Sequence, residues 1–172
     1  GQSGEGPRVA MAVFTTDLYE GRGDLYVAAG IGRQLRASGA GVAYVPVDDW
    51  GAVPDGTDAV VAMLPGFRPS LVPTAVRCVA WVRNEMDAWL AHPELALFDG
   101  LMVSSEQARA AIARVYDGPT TVLRIGVDPE LFSPPLPGED RHGVVGTVNY
   151  WGKERDLHRA LQAGPTTVPL AL

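Results

Sequence analysis

Side chains able to bind or polarise a ligand gather in four short polar segments, and each follows an apolar run of strand length. In the first, Thr15 through Asp24, Gly21 and Gly23 let backbone amides approach a ligand at the start of a helix, and Asp17 adds a carboxylate. Read as an ordinary turn, the same segment needs no ligand. The second, Pro65-Gly66-Phe67-Arg68-Pro69-Ser70, sets an aromatic ring beside a guanidinium. Phe67 can stack on a flat face such as a sugar ring and Arg68 can hold an anionic or hydroxylated group, while the plain alternative is a proline-bounded turn with a solvated arginine. The third, Trp81-Val82-Arg83-Asn84-Glu85, places polar groups at a helix start, where Glu85 and Asp87 also suit the helix dipole without doing chemistry. The fourth comes late, Gly146 through Asp156, and carries Lys153 and Arg155.

Other chemistries find little support. His92, His142 and His158 fall at a helix end, in a linker and in a helix, and they assemble neither a metal-ligand cluster nor a Ser/His/Asp arrangement. Cys78 sits in an apolar stretch and reads as a buried, inert thiol; as the one cysteine it makes no disulfide within the chain. Gly21-x-Gly23 lacks the third glycine of a dinucleotide fingerprint, because position 26 is Tyr26.

The elements that must carry these segments alternate apolar strand-length runs with runs of helical period. Strands are expected near 8–14, 41–46, 58–64, 77–82, 99–103, 120–124 and 143–148. Asp24 is placed to cap a helix with Leu25, Ala28, Gly32 and Leu35 on one face, and Gly39 to end it. A second helix is expected from about Asn84, with Met86, Trp89 and Leu90 on one side and His92-Pro93 as its stop. Ser104 and Gln107 have capping-box spacing ahead of a third, whose apolar face would be Ala108, Ala111, Ile112 and Val115. This alternation predicts an α/β fold, a Rossmann-like parallel sheet with helices on both faces. Ligands of such sheets bind outside the carboxyl ends of the strands, where the first three segments fall.

With 172 residues, 47% of them hydrophobic, the chain is long enough for one sizeable core but not for two complete domains. Residues 1–7 are expected to be a leader outside the fold, 8–132 a first domain, 133–142 a proline-rich linker and 143–172 the first β-α of a truncated second domain. The net charge of −6 and the scattered lysines and arginines offer no footprint for nucleic acid. No apolar run approaches the roughly 18–20 residues needed to span a bilayer, and no signal-peptide pattern opens the chain, so a cytoplasmic location is expected.

The run Ile125-Gly126-Val127-Asp128-Pro129-Glu130-Leu131-Phe132-Ser133-Pro134 resembles the G-V-D-x-x-x-F-x-P signature that ends the first domain of family-four glycosyltransferases with the two-Rossmann (GT-B) fold. Trp81 through Glu85, followed by Phe98-Asp99-Gly100-Leu101-Met102-Val103-Ser104-Ser105, resembles a subgroup of these transferases. The resemblance implies one half of a GT-B fold, the acceptor side, and transfer of a sugar from a nucleotide-diphosphate-sugar donor to a hydroxyl of an unknown glycosyl acceptor. Retention of configuration is implied, with no metal and no covalently bound cofactor. It places the acceptor near Asp17, Gly21, Gly23, Phe67, Arg68, Arg83, Asn84 and Glu85, and the donor near Gly126, Lys153 and Arg155. The two basic residues would stabilise the departing diphosphate. Many family members carry a histidine where this chain has Arg83 and Asn84, so a histidine contact to the transferred sugar is not carried over. The family's acidic E-x7-E pair would lie beyond residue 172.

Two other classes compete. A non-catalytic α/β ligand-binding or interaction domain of receiver type calls for an acidic pair after the first strand, where Asp17 stands alone, and for a lysine near the exit strand, where Arg124 stands. A nicotinamide-cofactor enzyme requires the full glycine fingerprint and an acid closing the second strand, for which Asp48 and Asp49 are candidates.

Overall fold

A computed structural model describes residues 6–127. Six strands form one sheet: β1 (Arg8–Ala12), β2 (Gly41–Val45), β3 (Ala59–Ala62), β4 (Arg77–Val82), β5 (Gly100–Val103) and β6 (Thr120–Val122). Their order is β2-β1-β3-β4-β5-β6 and every neighbouring pair is parallel. Three helices join them, α1 (Gly23–Ala37) after β1, α2 (Met86–Leu90) after β4 and α3 (Glu106–Ile112) after β5. The predicted α/β class and Rossmann-like parallel sheet are thus present. The strand expected at 143–148, the linker and the start of a second domain lie outside the described residues.

Strand order explains how the two faces are covered. The chain leaves β1 through α1 to reach β2 at the edge, then crosses back past β1 to β3 and continues outward to β6. Right-handed crossovers in opposite directions put their connections on opposite faces. Side-chain alternation agrees: Met11, Val13 and Met63 pack with Leu25 and Ala28 of α1, while Ala10, Ala12, Val60, Ala62 and Val82 pack with Trp89 of α2 and with Ala108 and Ile112 of α3. Strands that are apolar on both faces are what a doubly covered parallel sheet requires.

Local chemistry sets the helix ends, and three differ from expectation. Asp24 does not cap α1. The cap is Arg22, without a side-chain hydrogen bond, and Asp24 lies inside the first turn with its carboxylate accepting from the Phe14 N–H at 2.7 Å. Gly39 does end α1: at φ +90° it lets Ala40 N–H reach the Leu35 carbonyl and its own N–H reach that of Arg36, both at 3.0 Å. The second helix starts at Met86, two residues later than read, because Glu85 adopts a left-handed conformation. Ser105 rather than Ser104 caps α3, accepting from Ala108 N–H at 3.1 Å, so the Ser104–Gln107 box does not form. As α3 ends at Ile112, Val115 is left half exposed, and Tyr116 fills the core instead, its hydroxyl donating to the Phe98 carbonyl at 2.8 Å.

Candidate functional site

The carboxyl ends of β1, β3 and β4 are neighbours, so the loops leaving them meet at one edge of the sheet. This is also where the order reverses direction, the place at which connections diverge and leave a crevice.

After β1 the loop is built by its own polar groups. Asp17 caps a 3-10 turn, Leu18–Glu20, by accepting from Tyr19 N–H at 2.8 Å, and Gly21 closes it at φ +65°. Gly23 opens α1 with free space around it. The Arg22 guanidinium lies 3.9 Å over the Phe14 ring, and the Tyr26 hydroxyl donates to the Leu18 carbonyl at 3.0 Å. Tyr19 is 99% exposed at the tip of the turn. Sequence reasoning singled out the glycines and Asp17 here and passed over Tyr19; its one signal was an aromatic residue in an otherwise polar loop.

The segment after β3 overturns an expectation. Phe67 is 0% exposed and packs edge-on to Trp50, 5.7 Å between centroids, and against Phe98 at 6.3 Å. It cannot stack on a ligand: Phe67 N–H bonds the Leu64 carbonyl at 3.2 Å in a turn that packs the ring into the core. Arg68 is not a free guanidinium either, since its Nε donates to Glu94 Oε1 at 2.9 Å. Glu94 also accepts from the Ser70 N–H and hydroxyl, and these bonds, Ser70 N–H foremost, hold its carboxyl below the ordinary range. His92 completes the cluster. Its Nδ1 accepts from Glu94 N–H at 3.0 Å, so Nε2 carries the proton and donates to the Phe67 carbonyl at 2.8 Å. This histidine is buried against Trp89 and Phe98.

After β4 the picture is different. Arg83 is partly buried, with Nη2 donating to the Met63 carbonyl at 3.4 Å, a long bond, and Cζ 5.5 Å from the Trp81 ring centroid. Its Nε is buried and has no partner. Burial lowers its pKa and the nearby Asp24 charge opposes that shift. Asn84 and Glu85 are exposed, and Glu85, at φ +51°, is the one non-glycine residue with positive φ among the described residues. Such a conformation is strained for a side-chain-bearing residue and is found more often at functional sites than elsewhere.

Arg83, Asn84, Glu85, Asp17 and Gly21 therefore lie on loops at the carboxyl edge, with Gly23 at the start of α1 beside them, whereas Phe67 and Arg68 belong to the core and to the Glu94 cluster. Gly126 follows β6 in an exposed stretch with open space around it. Lys153 and Arg155 lie outside the described residues. Among the described residues no group of three or more His, Cys, Asp or Glu side chains is placed to hold a metal, and no helix is long and apolar enough to cross a membrane.

An open cleft of about 420 Å³ lies at the opposite end of the sheet, lined by Ser70, Cys78 and Asp99 among others. Cys78 is nearly fully buried, and its thiol is pushed up to about 11, first by burial and then by the charge of Asp99. Only the thiolate is nucleophilic, so iodoacetamide at pH 7.5 should label Cys78 in the folded protein far more slowly than in urea. Equal rates measured by mass spectrometry would mean that the site opens readily.

No protein-family model, curated protein or solved structure matches this chain.

Proposed function

We propose that this chain is the acceptor-side half of a GT-B glycosyltransferase that transfers a sugar from a nucleotide-diphosphate donor to an acceptor hydroxyl, acting in the cytoplasm. The observation that carries the reading is the convergence at one sheet edge of the Gly21–Asp24 and Trp81–Glu85 loops, the latter holding an under-bonded guanidinium and a strained Glu85. The Trp81–Glu85 segment, which resembles a subgroup of that family, lies at one of these loops, while the Ile125–Pro134 run that resembles the family signature follows β6 and extends outside the described residues. In this reading the edge orients the acceptor, and Lys153 and Arg155 offset the charge that develops on the leaving diphosphate; positioning and electrostatics supply the rate enhancement.

Titration of the purified chain with UDP, GDP and NAD, followed by thermal shift, tests the reading. A saturable response to a nucleoside diphosphate is expected, with about tenfold weaker binding when Lys153→Gln and Arg155→Gln are combined, a loss typical of one or two charge-assisted bonds. An unchanged diphosphate affinity in the double variant, or a response to NAD alone, would count against it.

A further inference from the structure

We propose that Arg83 anchors an oxyanion of the ligand, a carboxylate, sulfate or phosphoryl group, at the carboxyl edge of the sheet. The inference rests on reading that edge as the ligand cleft, and it adds the chemical class of what binds there.

A guanidinium carries five N–H donors in a planar fork and no acceptor. Arg83 uses one of them in a long bond to a neutral carbonyl, Met63 at 3.4 Å, and its buried Nε–H meets no acceptor. No carboxylate of the described residues lies within ion-pairing distance of it. Asp24, the acid whose charge acts on it, does so through space without a direct ion pair, and its Oδ2 accepts from Phe14 N–H at 2.7 Å. Arg68 and Arg109 stand in contrast, each with a carboxylate bound directly, Glu94 at 2.9 Å and Glu106 at 2.6 Å. Those two have most of the side chain in water, whereas the less hydrated Arg83 has the poorer set of partners.

Partial burial of a charge without a paired acceptor is unfavourable, and native structures retain such groups where a ligand completes them. A neutral hydroxyl offers one acceptor and leaves the charge uncompensated. Two oxygens of a carboxylate, sulfate or phosphoryl group match the planar fork and neutralise the charge together. The Trp81 ring beneath the guanidinium and the Met63 carbonyl beside it restrict its orientation, so the fork is held ready at the edge.

The test uses the full chain at constant ionic strength, with chloride replaced stepwise by phosphate, sulfate or acetate, and reads the unfolding midpoint. A saturable rise with at least one of the three is expected in wild type and in Arg109→Gln, where only a surface pair is lost. Arg83→Met, which puts an apolar chain in place of the charge, should abolish the rise. Arg83→Lys should weaken binding by about 10- to 100-fold, because a point charge does not reproduce the fork. Which anion acts best separates a phosphoryl or sulfate group from a carboxylate. Equal midpoint rises in wild type and Arg83→Lys, or no response to any of the three anions in wild type, would overturn the proposal. Because no nucleotide is present, a positive result with failed diphosphate binding would remove the transferase reading and leave the oxyanion site standing.

Discussion

Replacing Trp89 by alanine is expected to lower the stability of the domain by about 3–5 kcal/mol, measured by urea denaturation. The indole is completely buried and joins the face of the sheet that packs against α2 and α3, with the Phe98 ring edge-on at 6.0 Å and the His92 ring stacked at 5.9 Å. Removing it opens a large void beneath three elements. It also undercuts His92, whose two ring bonds tie the Phe67 carbonyl to the backbone of Glu94. A loss of this size is a large part of the roughly 5–15 kcal/mol that holds a domain of ordinary stability together. Trp89→Phe separates packing from polarity. The indole N–H is buried without an acceptor, so deleting it relieves an unmet donor while most of the ring volume stays. The phenylalanine variant should therefore cost no more than about 1–2 kcal/mol. If both variants were equally unstable, ring volume would not be what Trp89 contributes.

The same core shows which parts of the molecule are legible in residues alone. Strands were readable because short runs rich in Val, Ala and Met fit a doubly covered parallel sheet, and all six described strands start within one residue of the pattern, while β1, β3 and β6 stop two residues early. Gly39 was readable because few residues tolerate the left-handed end of a helix. Phe67 was not. An aromatic next to an arginine between two prolines looks like a ligand platform, and only the tertiary placement of Trp50 and Phe98 turns the ring inward. Arg68 and Glu94 are twenty-six positions apart, a pairing no local pattern encodes. Asp24 illustrates a finer limit: Asp near a helix start suggests a cap, yet the same carboxylate two residues into the helix can reach back to the preceding strand's end, which it does here. At the candidate site the chain revealed the residues of the β4 loop but not their condition, since the burial of Arg83 depends on tertiary packing and a glutamate gives no local signal of the left-handed backbone that Glu85 adopts.

Asp24→Ala is expected to destabilise the domain by about 2–4 kcal/mol, and companion variants divide that loss into its causes. The carboxylate is 8% exposed, accepts from Phe14 N–H at 2.7 Å, lies in the first turn of α1, and is the acid whose charge acts on Arg83. Alanine removes all three interactions. Asparagine keeps an acceptor for Phe14 N–H and loses only the charge, so it should recover about 1–2 kcal/mol, the cost of an unmet buried amide. The remainder combines the helix dipole, worth about 0.3–1 kcal/mol, with the partly buried guanidinium left without its countercharge. In an Arg83→Met background that last contribution vanishes, and Asp24→Asn should then cost only the dipole's share. The coupling from the double-mutant cycle is expected at about 0.5–1.5 kcal/mol, which falls within the range for neighbouring charged groups. Additive behaviour of Asp24→Asn and Arg83→Met would show that the two charges do not sense each other. Arg83 would then be held at the sheet edge with no countercharge from the described residues, which leaves its charge to be offset by a bound oxyanion as proposed.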